Sequence, residues 1–380
     1  DAPGYQGFPG GVRPPFPIDL SLATDSNGTF VLDSSLTDVL LIALPPGSPN
    51  GSIQGSIQIP EDATSVLLVA ELASGGPCPA LPNNDCSAIA GEGGAFAIFN
   101  LPAGNYNVKG FVAGSNYTPV AISLADGQAL SGINLSLSGD ATATLDGNVS
   151  FVNAGSQQTT VILAVKSTIN RLDSALVTGV PVFIRGQMPP GLRDGDVSGT
   201  FSIPGIPDGD YLILASFEND DLVRDPDICI AGTKIIEITS AGGQITSSDS
   251  LENPFKVTGA LGVVSPGANE VVGAIPTFAW EDDSSETSYE IIVYDSFGEK
   301  VWDAELEGVS GGSTVSVEYG STDPGVVIQT VLPALPLQSG TFYQFHVISL
   351  KPATSQQCSN ISALTGISQT EDLRGVFLVQ

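Results

Sequence analysis

The chain is poor in the residues that perform chemistry. Its 380 residues include one histidine, one methionine, two tryptophans and four cysteines. A single histidine rules out a metal centre built on clustered histidines. Any Ser-His-Asp or Cys-His catalysis would have to use that one residue, His346. It lies in YQFHVIS between Phe345 and Val347, where alternation predicts a half-exposed strand position. Positive charge is also scarce, with 12 Lys and Arg against 41 Asp and Glu and a net charge of −29. Nucleic-acid binding needs a basic face, so this balance argues against it. No run of about 18 unbroken apolar residues occurs, so no transmembrane helix is expected. Charged residues of both signs make up only 14%. The surface must therefore be built largely from Ser, Thr, Asn, Gln and Gly.

Glycine and proline, by contrast, are abundant at 44 and 27 residues, more than long helices tolerate. Hydrophobic residues reach 42%, enough for sizeable cores. The expected class is all-β: tandem β-sandwich domains behind an extended N-terminal arm. The first residue is Asp1, which reads as a mature, exported chain whose signal peptide has been removed. The cysteines fit export. Cys78 and Cys86 bracket a Pro/Asn-rich loop that a local disulfide would close. Cys229 and Cys358 are left to pair with each other, to pair with another subunit, or to remain buried thiols; the intramolecular pair is the expectation.

Self-similarity sets the domain plan. GAFAIFNLPAGNYNV (94–108) and GTFSIPGIPDGDYLI (199–213) align without a gap as G-x-F-x-I-x-x-[LI]-P-x-G-x-Y-x-[VI]. Phe96 and Ile98, like Phe201 and Ile203, alternate on one strand face. Leu101-Pro102-Ala103-Gly104 and Ile206-Pro207-Asp208-Gly209 supply a turn, with proline fixing φ and glycine free to adopt φ > 0. Tyr106 and Tyr211 then alternate down the returning strands. Upstream, IQGSIQI from Ile53 matches LDGNVSF from Leu145, and VLLVAEL from Val66 matches VILAVKS from Val161. Two copies of one β-module are expected, at 51–140 and 141–253. The second carries a long insertion, RLDSALVTGVPVFIRGQMPPGLRDGDV.

This repeated string resembles the carboxypeptidase regulatory-like (transthyretin-like) β-sandwich modules. The resemblance covers about half the chain. It implies a seven- or eight-strand sandwich serving as a structural or spacer module, and no catalysis. Residues 254–380 resemble a fibronectin type III or immunoglobulin-like sandwich. Phe278 and Trp280 alternate inward there, Tyr289, Ile291 and Val293 return, and GVFLVQ closes the sheet. Residues 18–50 read as a hairpin segment. Ile18, Leu20 and Leu22 form one strand, TDSNG the turn and Thr29–Leu32 the return.

Three features carry candidate sites. The acid-rich loop FENDDLVRDPD offers Glu218, Asp220, Asp221, Asp225 and Asp227 as a weak Ca²⁺ set, against the alternative of a solvated turn. It lacks the full EF-hand spacing. Sequons occur at Asn27, Asn50, Asn116, Asn134, Asn148 and Asn360, either glycan acceptors or ordinary turn asparagines. The arm, residues 1–17, holds five prolines and four glycines. Such a segment stays loose unless tied down. Its aromatics Tyr5, Phe8 and Phe16 suit apolar pockets on a neighbouring subunit, with packing on its own first module as the second possibility. No catalytic set, cofactor or metal motif emerges. The expected function is a secreted, cell-surface structural subunit of a homopolymer, joined head to tail, with glycans as possible additions. A monomeric adhesin or carbohydrate-binding protein is the alternative.

Overall fold

Alternation in the repeated string dictates two strands joined by a proline-fixed turn, and the computed structural model places them so. It describes residues 3–5, 24–26, 29–31, 41–76, 78, 86–152, 154, 157–169, 186–215, 220–224, 236–248, 251, 255–309, 314–352, 364–371 and 374–380. These form an all-β protein with several sheets, consistent with tandem sandwiches.

In the first module, the strand Gly51–Ile57 lies between Ala129–Leu135, which runs parallel to it, and Ala95–Leu101, which is antiparallel. The facing sheet has the order Ser87–Ala90, Val66–Leu72, Gly104–Phe111, Val120–Leu124. The second module repeats this plan. Ala143–Val152 lies between antiparallel Thr200–Ile206 and parallel Phe255–Gly259, with Leu222–Arg224 at the edge. Its facing sheet runs Arg193–Val197, Thr159–Val165, Gly209–Ala215, Ile236–Ala241, Gln244–Ser247. Phe255–Gly259 thus takes the place that Ala129–Leu135 has in the first copy. The second sandwich therefore extends past the sequence-based boundary at 253, because its parallel closing strand comes after the polar SSDSLENP stretch.

The motif tyrosines show why the string recurs. Tyr106 and Tyr211 are both fully buried. Each hydroxyl donates to the carbonyl of the motif proline four residues back, Pro102 at 2.8 Å and Pro207 at 2.9 Å. The tyrosine locks the turn that placed it. Tyr211→Phe would leave the Pro207 carbonyl without this donor, an expected cost of about 1–2 kcal/mol in a urea titration. Tyr106→Phe should cost about 1 kcal/mol, because its bond is only part-buried.

Phe111 meets Tyr211 edge-on at 6.0 Å. One hydrophobic cluster runs from Ile53 to Val257 through both modules. The third module has a separate core. There Val263–Ser265, Thr277–Glu281 and Thr314–Glu318 form one sheet. The other follows the order Glu270–Val272, Val376–Val379, Phe342–Pro352, Ser288–Asp295, Lys300–Glu307, Val327–Leu332, and Leu364–Gln369 also pairs with Phe342–Pro352.

Two expectations need correction. The 18–50 hairpin pairs Thr24–Ser26 with Thr29–Val31, Thr24 opposite Val31. TDS is therefore strand rather than turn. Ile18, Leu20 and Leu22 fall outside the described residues. His346 is 5% exposed, not half-exposed. Its strand is covered on both faces. Phe345 and Val347 enter the core, while Gln344, His346 and Ile348 are buried on the other side with Ile292 and Tyr294.

Candidate functional site: docking positions of the modules

A left-handed residue stands at one place in both copies of the repeat, one residue before the Leu-Pro or Ile-Pro turn. In the first copy it is Asn100 at φ 60° and in the second Gly205 at φ 70°. The chain must bulge here so that the proline turn can begin, and a bulge turns backbone groups outward. At this place another segment docks in both copies, on the Gly205 backbone in the second and on the Asn100 side chain in the first.

At Gly205 the segment belongs to the first module. Gly114 donates its N–H to the Gly205 carbonyl at 2.7 Å. A Cβ at 205 would stand 2.8 Å from the Gly114 nitrogen, so only glycine permits the approach. Asn116 secures the joint. Its Oδ1 accepts the Asp208 N–H at 2.8 Å, and its Nδ2 donates to the Asp140 carbonyl at 3.2 Å. Ala113 donates to Pro190 at 3.0 Å, and across the joint Ser167 donates to Glu71 Oε1 at 2.9 Å. Lys109 holds the second oxygen of Glu71 at 2.6 Å.

At Asn100 the segment is the N-terminal arm. Asn100 Oδ1 accepts the Gly4 N–H at 2.9 Å, and its Nδ2 donates to the Tyr5 carbonyl at 3.1 Å. Leu44 donates to the Gly4 carbonyl at 2.9 Å, and Tyr5 forms an antiparallel bridge with Ala43. Every one of these bonds reads arm backbone. The Tyr5 side chain stays 38% exposed. The described part of the arm therefore lies on the chain's own first module. Phe8 and Phe16 fall outside the described residues.

The other candidates distribute as follows. Cys78 and Cys86 are disulfide-bonded, with Cα atoms 6.1 Å apart; Cys229 and Cys358 fall outside the described residues. Of the acid-rich loop's candidate ligands, only Asp220 and Asp221 are described; both backbone N–H groups donate to Glu371 of the third module, and Asp221 also accepts from Arg374. Glu218, Asp225 and Asp227 lie outside. Among the described residues no group of three or more His, Cys, Asp or Glu could hold a metal ion. Asn50 and Asn134 are exposed, and Asn148 is half-buried. Asn116 commits its amide nitrogen to the Asp140 carbonyl and its Oδ1 to the module joint, which the sequon pattern could not reveal. Asn27 and Asn360 are not described. His346 bonds Gln344 at 2.6 Å and lies 3.4 Å from the Thr370 hydroxyl, sealed from solvent. A carboxyl pair, half-buried Glu290 and buried Asp303, stands on the same sheet face. Burial, and then the charge of Asp303, push Glu290 up to about 7, while Lys300 holds Asp303 at 2.9 Å.

No family model matches this chain. No curated protein matches it either. Among solved structures, the Bacillus anthracis TIE protein aligns over 87% of this chain and 50% of its own, at 10% identity and TM-score 0.18. A streptococcal ancillary pilin aligns over 57% of this chain and 65% of its own, at 14% identity and TM-score 0.18. A DUF3823 family protein from Bacteroides uniformis aligns over 63% of this chain and 100% of its own, at 12% identity and TM-score 0.25. The chain thus spans less than two thirds of the length of the first two. At these TM-scores the likenesses carry no argument, and the module docking positions must be interpreted on their own geometry. No helix among the described residues is long and apolar enough to cross a membrane.

Proposed function

We propose that the chain is a non-enzymatic structural subunit of an extracellular polymer, a filament, pilus-like fibre or surface sheath, whose N-terminal arm docks on a neighbouring subunit. The observation that supports this most strongly is the recurrence of one docking position. Inside the chain, the position before the proline turn of the second copy receives the preceding module. The equivalent position on the first copy receives Gly4-Tyr5. The arm fills the place of a predecessor.

Asn100 recognises arm backbone, so any copy of the arm satisfies it equally. Residues 6–40 separate Gly4-Tyr5 from Leu41; with the Thr24–Ser26/Thr29–Val31 hairpin folded back on itself, the remainder can span up to roughly 90 Å, enough to reach another molecule. Exchange of identical segments between protomers is a low-cost route to assembly, and head-to-tail contacts that do not close make filaments. The scarcity of charge and the single sealed histidine agree with a structural role. Export, the sequons as glycan sites and self-association as the partner all follow from the same reading.

The test is removal of residues 1–17, examined by negative-stain imaging of the secreted material. Fibres should vanish while folding persists; a truncated protein that still polymerises would sink the proposal. Asn100→Ala should weaken binding of a synthetic 1–17 peptide to the truncated protein roughly tenfold, through loss of two hydrogen bonds. Titration calorimetry reads that difference.

A further inference from the structure

The second and third modules meet at one polar spot. Leu261 bridges to Thr370 and donates to the Gln369 carbonyl at 2.8 Å. The next residue, Glu371, is 4% exposed. Its Oε1 accepts two backbone N–H groups from the second module, Asp220 at 2.8 Å and Asp221 at 3.0 Å. Its Oε2 accepts from Arg374 Nε at 3.1 Å. The same guanidinium donates to Asp221 Oδ1 at 3.0 Å. Asp220 Oδ1 accepts the Leu222 N–H at 3.1 Å, while Asp220 Oδ2 is buried with no hydrogen-bond partner.

Two carboxyl groups, Glu371 and the exposed Asp221, thus share the Arg374 guanidinium, and Asp220 stands beside Glu371. Other charged groups belong to the packed elements. Lys256 is on Phe255–Gly259, the strand paired with Leu222–Arg224, and Glu281 abuts the linker at Gly262. His346 lies beneath Thr370. Glu218, Asp372 and the side chain of Arg224 fall outside the described residues. Glu371 is buried and Asp220 partly so, so full ionisation would set two negative charges side by side with little water, and one proton between them would supply the donor that Asp220 Oδ2 lacks.

We propose that Asp220 and Glu371 share a proton and form a pH-dependent latch, which holds the second and third modules together in acid and lets the joint open as pH rises past neutral. Burial is the main force on both groups. It pushes Glu371 up to about 7 despite Arg374 and raises Asp220 as well. Opening the joint rehydrates both carboxyls and returns them to their ordinary range. A folded-state pKa raised above the open-state value contributes stability fully below the ordinary carboxylate range. That contribution is lost as pH climbs through about 7.

The test is native-state hydrogen exchange on the full chain, read at the amides of Asp220, Asp221 and Leu261 and corrected for intrinsic exchange. Protection should fall about tenfold between pH 6 and pH 8, the linkage expected for one proton. Glu371→Gln keeps an acceptor for the two N–H groups and cannot ionise. It should hold protection constant over that range, and Asp220→Asn should flatten the profile likewise if the first variant folds poorly. Unchanged protection in the natural chain, or the same tenfold fall in both variants, would overturn the latch.

Discussion

Phe278→Ala is expected to destabilise the third module by about 3–5 kcal/mol, the largest effect of any single truncation in that core. Phe278 is fully buried on Thr277–Glu281 of the smaller sheet. Its ring meets Phe345 at 4.7 Å, Phe377 at 5.6 Å, Trp302 at 6.1 Å and Tyr319 at 6.2 Å. Phe345, Phe377 and Trp302 come from three different strands of the larger sheet. One ring therefore pins both sheets, and its removal opens a cavity that rigid aromatic neighbours cannot close. A domain is stable by only about 5–15 kcal/mol, so the loss takes a large share. The measurement is unusually selective. The chain has two tryptophans, Trp280 and Trp302, and both are buried in this core. Tryptophan fluorescence, excited where tyrosine does not absorb, reports the third module alone, while far-UV circular dichroism reports all three. The fluorescence midpoint should move far down in denaturant while the remaining dichroism transition stays in place. A fluorescence transition that does not move would refute the hub role.

The parts of this architecture that sequence could reveal share one cause: each is a local pattern. Phe96/Ile98 and Phe201/Ile203 show their buried face through period-two alternation, and Pro102-Ala103-Gly104 shows its turn through backbone chemistry. Cys78 and Cys86 sit close enough in sequence for their bond to be foreseen. The docking positions escaped because Asn100 and Gly205 share a backbone conformation and not a side chain. Only once φ is known do they become the same place. The Asp220–Glu371 contact joins residues 151 apart, and nothing in FENDDLVRDPD distinguishes a calcium loop from a module joint. The pairing of Phe255–Gly259 with Ala143–Val152 is hidden in the sequence because a polar stretch that reads as a linker precedes the strand. His346 was misjudged for a related reason. Alternation identifies the face opposite the core and cannot tell whether a further layer covers it.

Gly55→Ala carries the second large effect, and it strikes the other cooperative unit. Gly55 stands at the centre of Gly51–Ile57, flanked by Ala129–Leu135 on one side and Ala95–Leu101 on the other. The parallel partner is irregular between Leu130 and Ile133, and this irregularity presses the Ile133 carbonyl against Gly55. A Cβ at 55 would overlap that carbonyl oxygen. Backbone cannot rotate aside as a side chain can, so the strand pair must separate. The expected cost is about 3 kcal/mol or more, at the upper end of overpacking penalties. The repeat supplies an internal comparison. Gly147 occupies the matching place in LDGNV, but there the added Cβ would stand 2.5 Å from the Phe201 ring, a side chain. Gly147→Ala should therefore cost less, about 1–3 kcal/mol. Because the first two modules share one core, both substitutions should shift a single dichroism transition. The tryptophan signal of the third module should hold its midpoint. If Gly55→Ala moves the fluorescence and dichroism midpoints together, all three modules unfold as one, and the division of the chain into a fused pair and a separate third core is wrong.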